Sequence, residues 1–169
     1  MEGKTYIGID PGAKGYIAVM YSDGTREYYS IADNDYHDIA TFLKNIKTIH
    51  DEDCVCCMEE IHAVFGSSAK ATFSFGEIYG MLQGFLIALK IPYHLVPPKM
   101  WQKEIWINQD KVSKTKDGKS KVDNKATSIN AARRLFPTED FRRTSKCKNV
   151  DDNKCDALLI CEYGRRRGL

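Results

Sequence analysis

The chain opens on a strand-like run, Thr5-Tyr-Ile-Gly-Ile-Asp10, breaks at the turn residues Pro11-Gly12-Ala13-Lys14-Gly15, and resumes with Tyr16-Ile-Ala-Val-Met-Tyr21. Two β-favouring runs around a glycine-rich turn predict a hairpin. Ser22-Asp23-Gly24 supplies a second turn, and residues 25–31 complete a three-strand antiparallel meander. The period then changes. Tyr36, Ile39, Phe42, Leu43, Ile46 and Ile49 recur at helical spacing behind Asp33-Asn34-Asp35, a cluster that offers an N-cap, so a crossover helix is predicted. It feeds Cys54-Val-Cys-Cys-Met-Glu59, apolar at nearly every position, as expected of a strand covered on both faces.

Residues 61–71 predict a loop, and residues 73–89 a long apolar helix carrying Ile78, Tyr79, Met81, Leu82, Phe85, Leu86 and Leu89. Gly76, Gly80 and Gly84 form one stripe of it. Each interior glycine costs ~1 kcal/mol relative to alanine, so the stripe predicts a close backbone approach, to the sheet or to a partner subunit. Tyr93-His-Leu-Val96 predicts a short strand stopped by Pro97-Pro98, and Lys99 begins a helical turn reaching Trp106. The polar, lysine-rich residues 107–122 read as a mobile loop. Asp123 or Asn124 caps a helix running to Phe136 and stopped by Pro137, and residues 150–167 form the last helix, with Ala157, Leu158, Ile160 and Cys161 on its apolar side. A meander, a crossover helix and a central strand together predict an α/β fold with a mixed sheet.

With 169 residues, 43% of them hydrophobic, the chain can build one compact core, so a single domain over residues 1–169 is expected. The sequence lacks an apolar stretch long enough to span a bilayer, and Met1-Glu2-Gly3-Lys4 enters the first strand without a signal-peptide pattern, which points to a cytoplasmic protein with no membrane contact. Cys54, Cys56 and Cys57 crowd one apolar run, while Cys155 and Cys161 fall in a helix-like segment. Reduced, buried thiols fit this better than disulfides or a zinc site, whose paired spacing is missing. The net charge of +2 hides an asymmetry: residues 1–98 hold 7 basic against 13 acidic side chains, net −6, and residues 99–169 hold 18 against 10, net +8. Basic charge gathered in one half favours a polyanionic partner.

Three acidic positions need an explanation. Asp10 ends an apolar strand, where a charge is costly unless a cation or hydrogen bonds from the turn at 12–15 offset it. Glu59 ends the buried strand, and Glu60 beside it points to the opposite face, so one of the two can serve a site. Asp152 and Asp156 stand one helical turn apart and repel unless a cation lies between them, although Asp151 and Asp152 also suit a helix N-terminus. Oxygen ligands from separate segments select Mg²⁺ or Mn²⁺. Two such ions about 4 Å apart can activate water and stabilise the leaving oxygen of a phosphodiester.

Tyr6-Ile-Gly-Ile-Asp-Pro-Gly-Ala-Lys-Gly15, Met58-Glu-Glu-Ile-His62, Phe75-Gly-Glu-Ile-Tyr-Gly80, Val96-Pro-Pro-Lys-Met-Trp101, Lys125 with Ala132-Arg-Arg-Leu-Phe-Pro137, and Asp156-Ala-Leu-Leu-Ile-Cys-Glu-Tyr-Gly164 resemble, in that order, the RuvC-type Holliday junction resolvases, especially their phage-associated branch. The likeness covers nearly the whole chain. It implies an RNase H-like fold, with a mixed five-stranded sheet of three antiparallel and then two parallel strands flanked by helices. It also implies a homodimer acting on four-way or otherwise branched DNA in a bacterial or phage-infected cell, and a Mg²⁺ site, open to Mn²⁺, built from four acidic positions. Those positions fall on Asp10, Glu59 rather than Glu60, Asp156, and Asp152, with Asp151 and Asn153 competing for the fourth. Lys125, and Lys103 in place of Gln102, match two lysines near the scissile phosphate. In the loop after Glu59, Phe65 could stack on unpaired bases or anchor the loop, and Lys70 adds a base. Arg165, Arg166 and Arg167 could clamp phosphate or balance the helix dipole. The implied activity is structure-selective DNA cleavage giving paired nicks. An RNase H-like nuclease acting on RNA, and a branched-DNA binder without catalysis, are the alternatives.

Overall fold

A computed structural model describes residues 3–50, 54–62, 68–116 and 119–169. Strands β1 (Thr5–Asp10), β2 (Tyr16–Met20) and β3 (Arg26–Ser30) form the meander, and helix α1 (Tyr36–His50) leads to the central strand β4 (Cys54–Glu59). Asp35 caps α1 by accepting from the Asp38 N–H at 2.9 Å. Helix α2 (Ala69–Ala88), strand β5 (Tyr93–Val96) and helix α3 (Pro98–Ile105) follow. Strands β6 (Ser113–Lys116) and β7 (Lys119–Val122) precede helices α4 (Asn124–Leu135) and α5 (Asp152–Arg167). The main sheet has the order β3-β2-β1-β4-β5, antiparallel across the meander and parallel from β1 through β4 to β5. This is the mixed five-stranded sheet expected from the sequence.

Side chains alternate across the sheet and divide the core into two layers. Ile7, Ile9, Ile17, Val19, Cys54, Cys56 and Met58 pack with Ile39, Phe42, Leu43 and Ile46 of α1 and Leu82 and Leu86 of α2. Ala18, Met20 and Cys57 face the other way, into a layer with Trp101, Ala131, Leu158 and Cys161 from α3, α4 and α5. Parity therefore aims Asp10 and Glu59 at the α5 side. The helix comes very close to the sheet there. A Cβ on Gly8 would stand 2.1 Å from the Ala157 carbonyl oxygen, and one on Gly164 would stand 2.7 Å from Cys57 Sγ. Both contacts exist only because both residues are glycine.

Several elements depart from the sequence reading. Helix α2 starts at Ala69, within the expected loop, because the Ser68 hydroxyl caps it by accepting from the Ala71 N–H at 3.2 Å. Helix α5 starts at Asp152, capped by Asp151, rather than at position 150. Gly76, Gly80 and Gly84 do not approach the sheet: a Cβ on any of them meets nothing within 4 Å. Leu82 and Leu86 take the sheet-facing stripe, and the glycines run along the outer face with Phe73 and Ile87, which are 75% and 63% exposed. Residues 107–122 are not a loop. They hold a 3-10 turn (Asn108–Asp110) and the β6–β7 ribbon. Cys54, Cys56, Cys57, Cys155 and Cys161 are buried and in no disulfide, and Cys147 is partly exposed. No helix among the described residues is long and apolar enough to cross a membrane.

Candidate metal centre

Neighbouring parallel strands lie about 4.8 Å apart. Ile9 pairs with Met58 across β1 and β4, so the next residue on each strand, Asp10 and Glu59, arrives level at the same sheet end. Both face α5, whose N-terminal turns bring Asp152 and Asp156 over the strand ends. Like-charge repulsion ties the four together: Glu59 and Asp152 act on Asp10, and Asp10, Glu59 and Asp152 act on Asp156. Parity turns Glu59, not Glu60, toward α5.

Each carboxylate is held differently. Asp10 is buried, with one donor, the Gly12 N–H at 3.3 Å from Oδ1. The turn that brings Gly12 there closes through the Gly15 N–H on the Gly12 carbonyl at 2.8 Å, and a Cβ on Gly15 would stand 2.0 Å from the Asp10 carbonyl oxygen. Burial first, and then Glu59, pushes the Asp10 carboxyl up to about 7. Burial also raises Glu59, against the opposing pull of the Trp101 indole N–H, which donates to Glu59 Oε1 at 2.9 Å. Burial drives Asp156 well above the carboxylate range despite a hydrogen bond from the Ser128 hydroxyl, and its Oδ1 is buried without a partner. Asp152 is bound by Lys125 Nζ at 2.7 Å, a contact that raises the lysine. Asp151 is occupied as the α5 cap, accepting from both the backbone N–H and the side-chain amide of Asn153 and from the Tyr16 hydroxyl at 3.3 Å. Its competition for the fourth position is weakened by that role, and the Asn153 amide is turned toward Asp151.

A buried cluster of carboxylates, one oxygen of it without a donor, suits a hard divalent cation. Asp10, Glu59, Asp152 and Asp156 are the candidate ligands. Among the described residues no three His, Cys, Asp or Glu side chains are grouped closely enough to hold an ion as they stand, and the Lys125 ammonium is the cation nearest the cluster.

The other expected contacts are scattered. Lys103 is exposed in the last turn of α3, and Lys70 is exposed in the first turn of α2. Phe65 lies outside the described residues. Arg165 and Arg166 sit at the far end of α5, about 20 Å from its start at a rise of 1.5 Å per residue, and both pair with the buried Glu162 at 2.7 and 2.8 Å. They are not part of the centre. Two features escaped the sequence reading. Trp101 was visible there only as a motif landmark. A cleft of about 480 Å³ opens beside the centre, lined by Lys14, Lys125, Arg143, Lys148, Asp151 and Asp152 among others. The pair Arg142-Arg143 was the available signal. Its loop is pinned by Arg143 to Asp33, and by Lys154 Nζ to the Asp140 carbonyl at 2.7 Å.

By sequence, no protein-family model and no curated protein matches the chain. Solved structures do. RuvC of Thermus thermophilus in complex with a Holliday junction substrate superposes with a TM-score of 0.57 at 12% identity, covering 98% of this chain and 96% of that one. The fold is that of RuvC. A second structure of the same organism's RuvC gives 0.52 at 13% identity, over 97% and 96% of the two chains. The yeast mitochondrial Holliday junction resolvase gives 0.53 at 17%, over 95% of this chain and 77% of that one. The RuvC architecture thus spans β1 to α5, the segments that bring the four carboxylates together.

Proposed function

We propose that the protein is a structure-selective endodeoxyribonuclease that resolves four-way or otherwise branched DNA by Mg²⁺-dependent hydrolysis. The observation that carries this is the convergence of Asp10, Glu59, Asp152 and Asp156 on one end of a RuvC-fold sheet, with an Asp156 oxygen left unpartnered. Asp10, Glu59, Asp152 and Asp156 would hold Mg²⁺ or Mn²⁺, which supplies an activated water and a counter-charge for the leaving oxygen. Trp101 orients Glu59 through its N–H, as outer hydrogen bonds do for metal ligands. Lys125, beside Asp152, is placed to meet a phosphate oxygen, and the basic cleft of Lys14, Arg143 and Lys148 receives the strand that carries it.

Paired nicks require two centres, and the outer face of α2 offers a place for a second copy. Phe73 and Ile87 are exposed there around three glycines that admit close helix approach. The test is incubation of the purified chain with a mobile four-way junction and Mg²⁺, followed by mapping of every nick. Symmetric nicks on two strands support the reading; cleavage confined to an RNA–DNA hybrid would replace the substrate.

Two observations favour a second reading, a branched-DNA binder without catalysis. Lys125 already neutralises Asp152, and the described carboxylates are not grouped around a single ion position. Calorimetric titration with Mn²⁺ separates the two readings, since a pure binder takes up no metal at millimolar concentration.

A further inference from the structure

The β6–β7 ribbon pairs Ser113 with Val122, Lys114 with Lys121, Thr115 with Ser120, and Lys116 with Lys119. Directly opposed residues share a face, as do residues two apart on a strand. This register therefore gathers positions 114, 116, 119 and 121, all lysine, on one face of the ribbon. Like charges directly opposite destabilise a two-stranded ribbon, which is marginal in water to begin with. Burial does not compensate, since every residue of β7 is exposed. Lys114 has Asp123 at 3.4 Å. Lys119 and Lys121 have no carboxylate partner among the described residues.

The root of the ribbon is firmly set. The Asp123 N–H donates to the Val112 carbonyl at 2.7 Å, and the Val112 N–H donates to Thr127 Oγ1 at 3.1 Å on the first turn of α4. Asp123 also caps α4, and Lys125, two residues on, pairs with Asp152. The lysine face thus projects from the same end of α4 that touches the candidate metal centre.

We infer that the β6–β7 ribbon is a DNA arm whose lysine face grips the phosphate backbone of a duplex leading away from the cleavage centre. Charge complementarity selects the occupant: both register pairs on this face, 114 with 121 and 116 with 119, are lysine. Lysines two apart on a strand step about 6.8 Å, comparable to the separation of neighbouring phosphates on one DNA strand, which exceeds their roughly 3.4 Å axial rise because the strand winds around the axis. The choice of DNA as the polyanion rests on the proposed nuclease reading.

The test compares the full chain with a Lys119→Ser/Lys121→Ser variant, measuring affinity for a linear 30-base-pair duplex and for a four-way junction across a salt series. Two lost phosphate contacts should flatten the log–log salt slope by about 2, so that between 50 and 200 mM salt the wild-type affinity falls about tenfold further than the variant's. A Lys119→Arg/Lys121→Arg chain should restore the slope. The single Lys121→Ser variant, expected to lose about 1 from the slope, serves should the double change disturb folding. Unchanged slopes on both DNAs would overturn the arm, whatever the nuclease assay reports. Flattened slopes without junction cleavage by the wild type would keep the arm and discard the nuclease reading.

Discussion

Asp10 ionises near 3.8 in an unfolded chain and at about 7 in the folded, metal-free protein. The folded state therefore holds the extra proton across that window, and the stability this confers is complete below pH 3.8 and is lost as the pH rises through about 7. In chelator, the wild-type melting temperature should fall as the pH rises from 3.8 to about 7, while Asp10→Asn, neutral throughout, should give a flatter profile. A wild-type profile as flat as the variant's would contradict the buried cluster. The same variant should lose junction cleavage and keep junction binding, as seen in a gel assay at fixed salt. Trp101→Phe removes one N–H and little volume, so Glu59 loses its donor. Mn²⁺ affinity by calorimetry should fall about 10–100-fold with the fold intact. Asp10 and Glu59 were legible in the sequence because a charge at the end of an apolar strand is an anomaly in one dimension. The Trp101 contact was not, since it depends on how α3 lies across the end of β4, 42 residues away in sequence.

At the scale of elements, α5 is the part that most decides the geometry. Gly8→Ala forces a methyl against the Ala157 carbonyl, a backbone atom that cannot step aside. Overpacking of this kind costs about 1–3 kcal/mol or more, so the melting temperature should drop by at least about 2–4 °C, measurable by calorimetry. The long helices and buried strands were readable because their apolar periods are strong, and the caps at Asp35 and Asp123 marked their starts. The β6–β7 ribbon was not read, because its alternation is lysine with serine and threonine and gives no apolar period. The Asp117-Gly118 dipeptide was the hairpin signal in that stretch, and composition outweighed it. The glycine stripe of α2 predicted a close approach to the sheet or to a partner subunit, and the sheet is not what it meets, since spacing alone does not say which side of a helix faces in.

For the whole molecule, both halves of the charge-asymmetric sequence meet at one end of the sheet. The acidic half supplies Asp10, Glu59 and Lys14, and the basic half supplies Asp152 and Asp156 with Lys125, Arg143 and Lys148. If α2 joins two copies, Gly80→Arg should yield a monomer in size-exclusion chromatography with light scattering, and its nicks should become single and uncoupled. A dimer that survives this change would place the partner elsewhere. Overall topology was legible from the order of periods along the chain, whereas the cleft was not, because it is assembled from the β1–β2 turn, α4 and the segment before α5. The seam at Gly8 and Gly164 has one more consequence. Since Gly8 rests on the Ala157 backbone and Gly164 on the Cys57 side chain, the separation of Asp156 from Asp10 is set there like a machined datum. A fold shared at 12% identity tolerates exchange of most core side chains, whereas a methyl at Gly8 is a change that this seam does not admit.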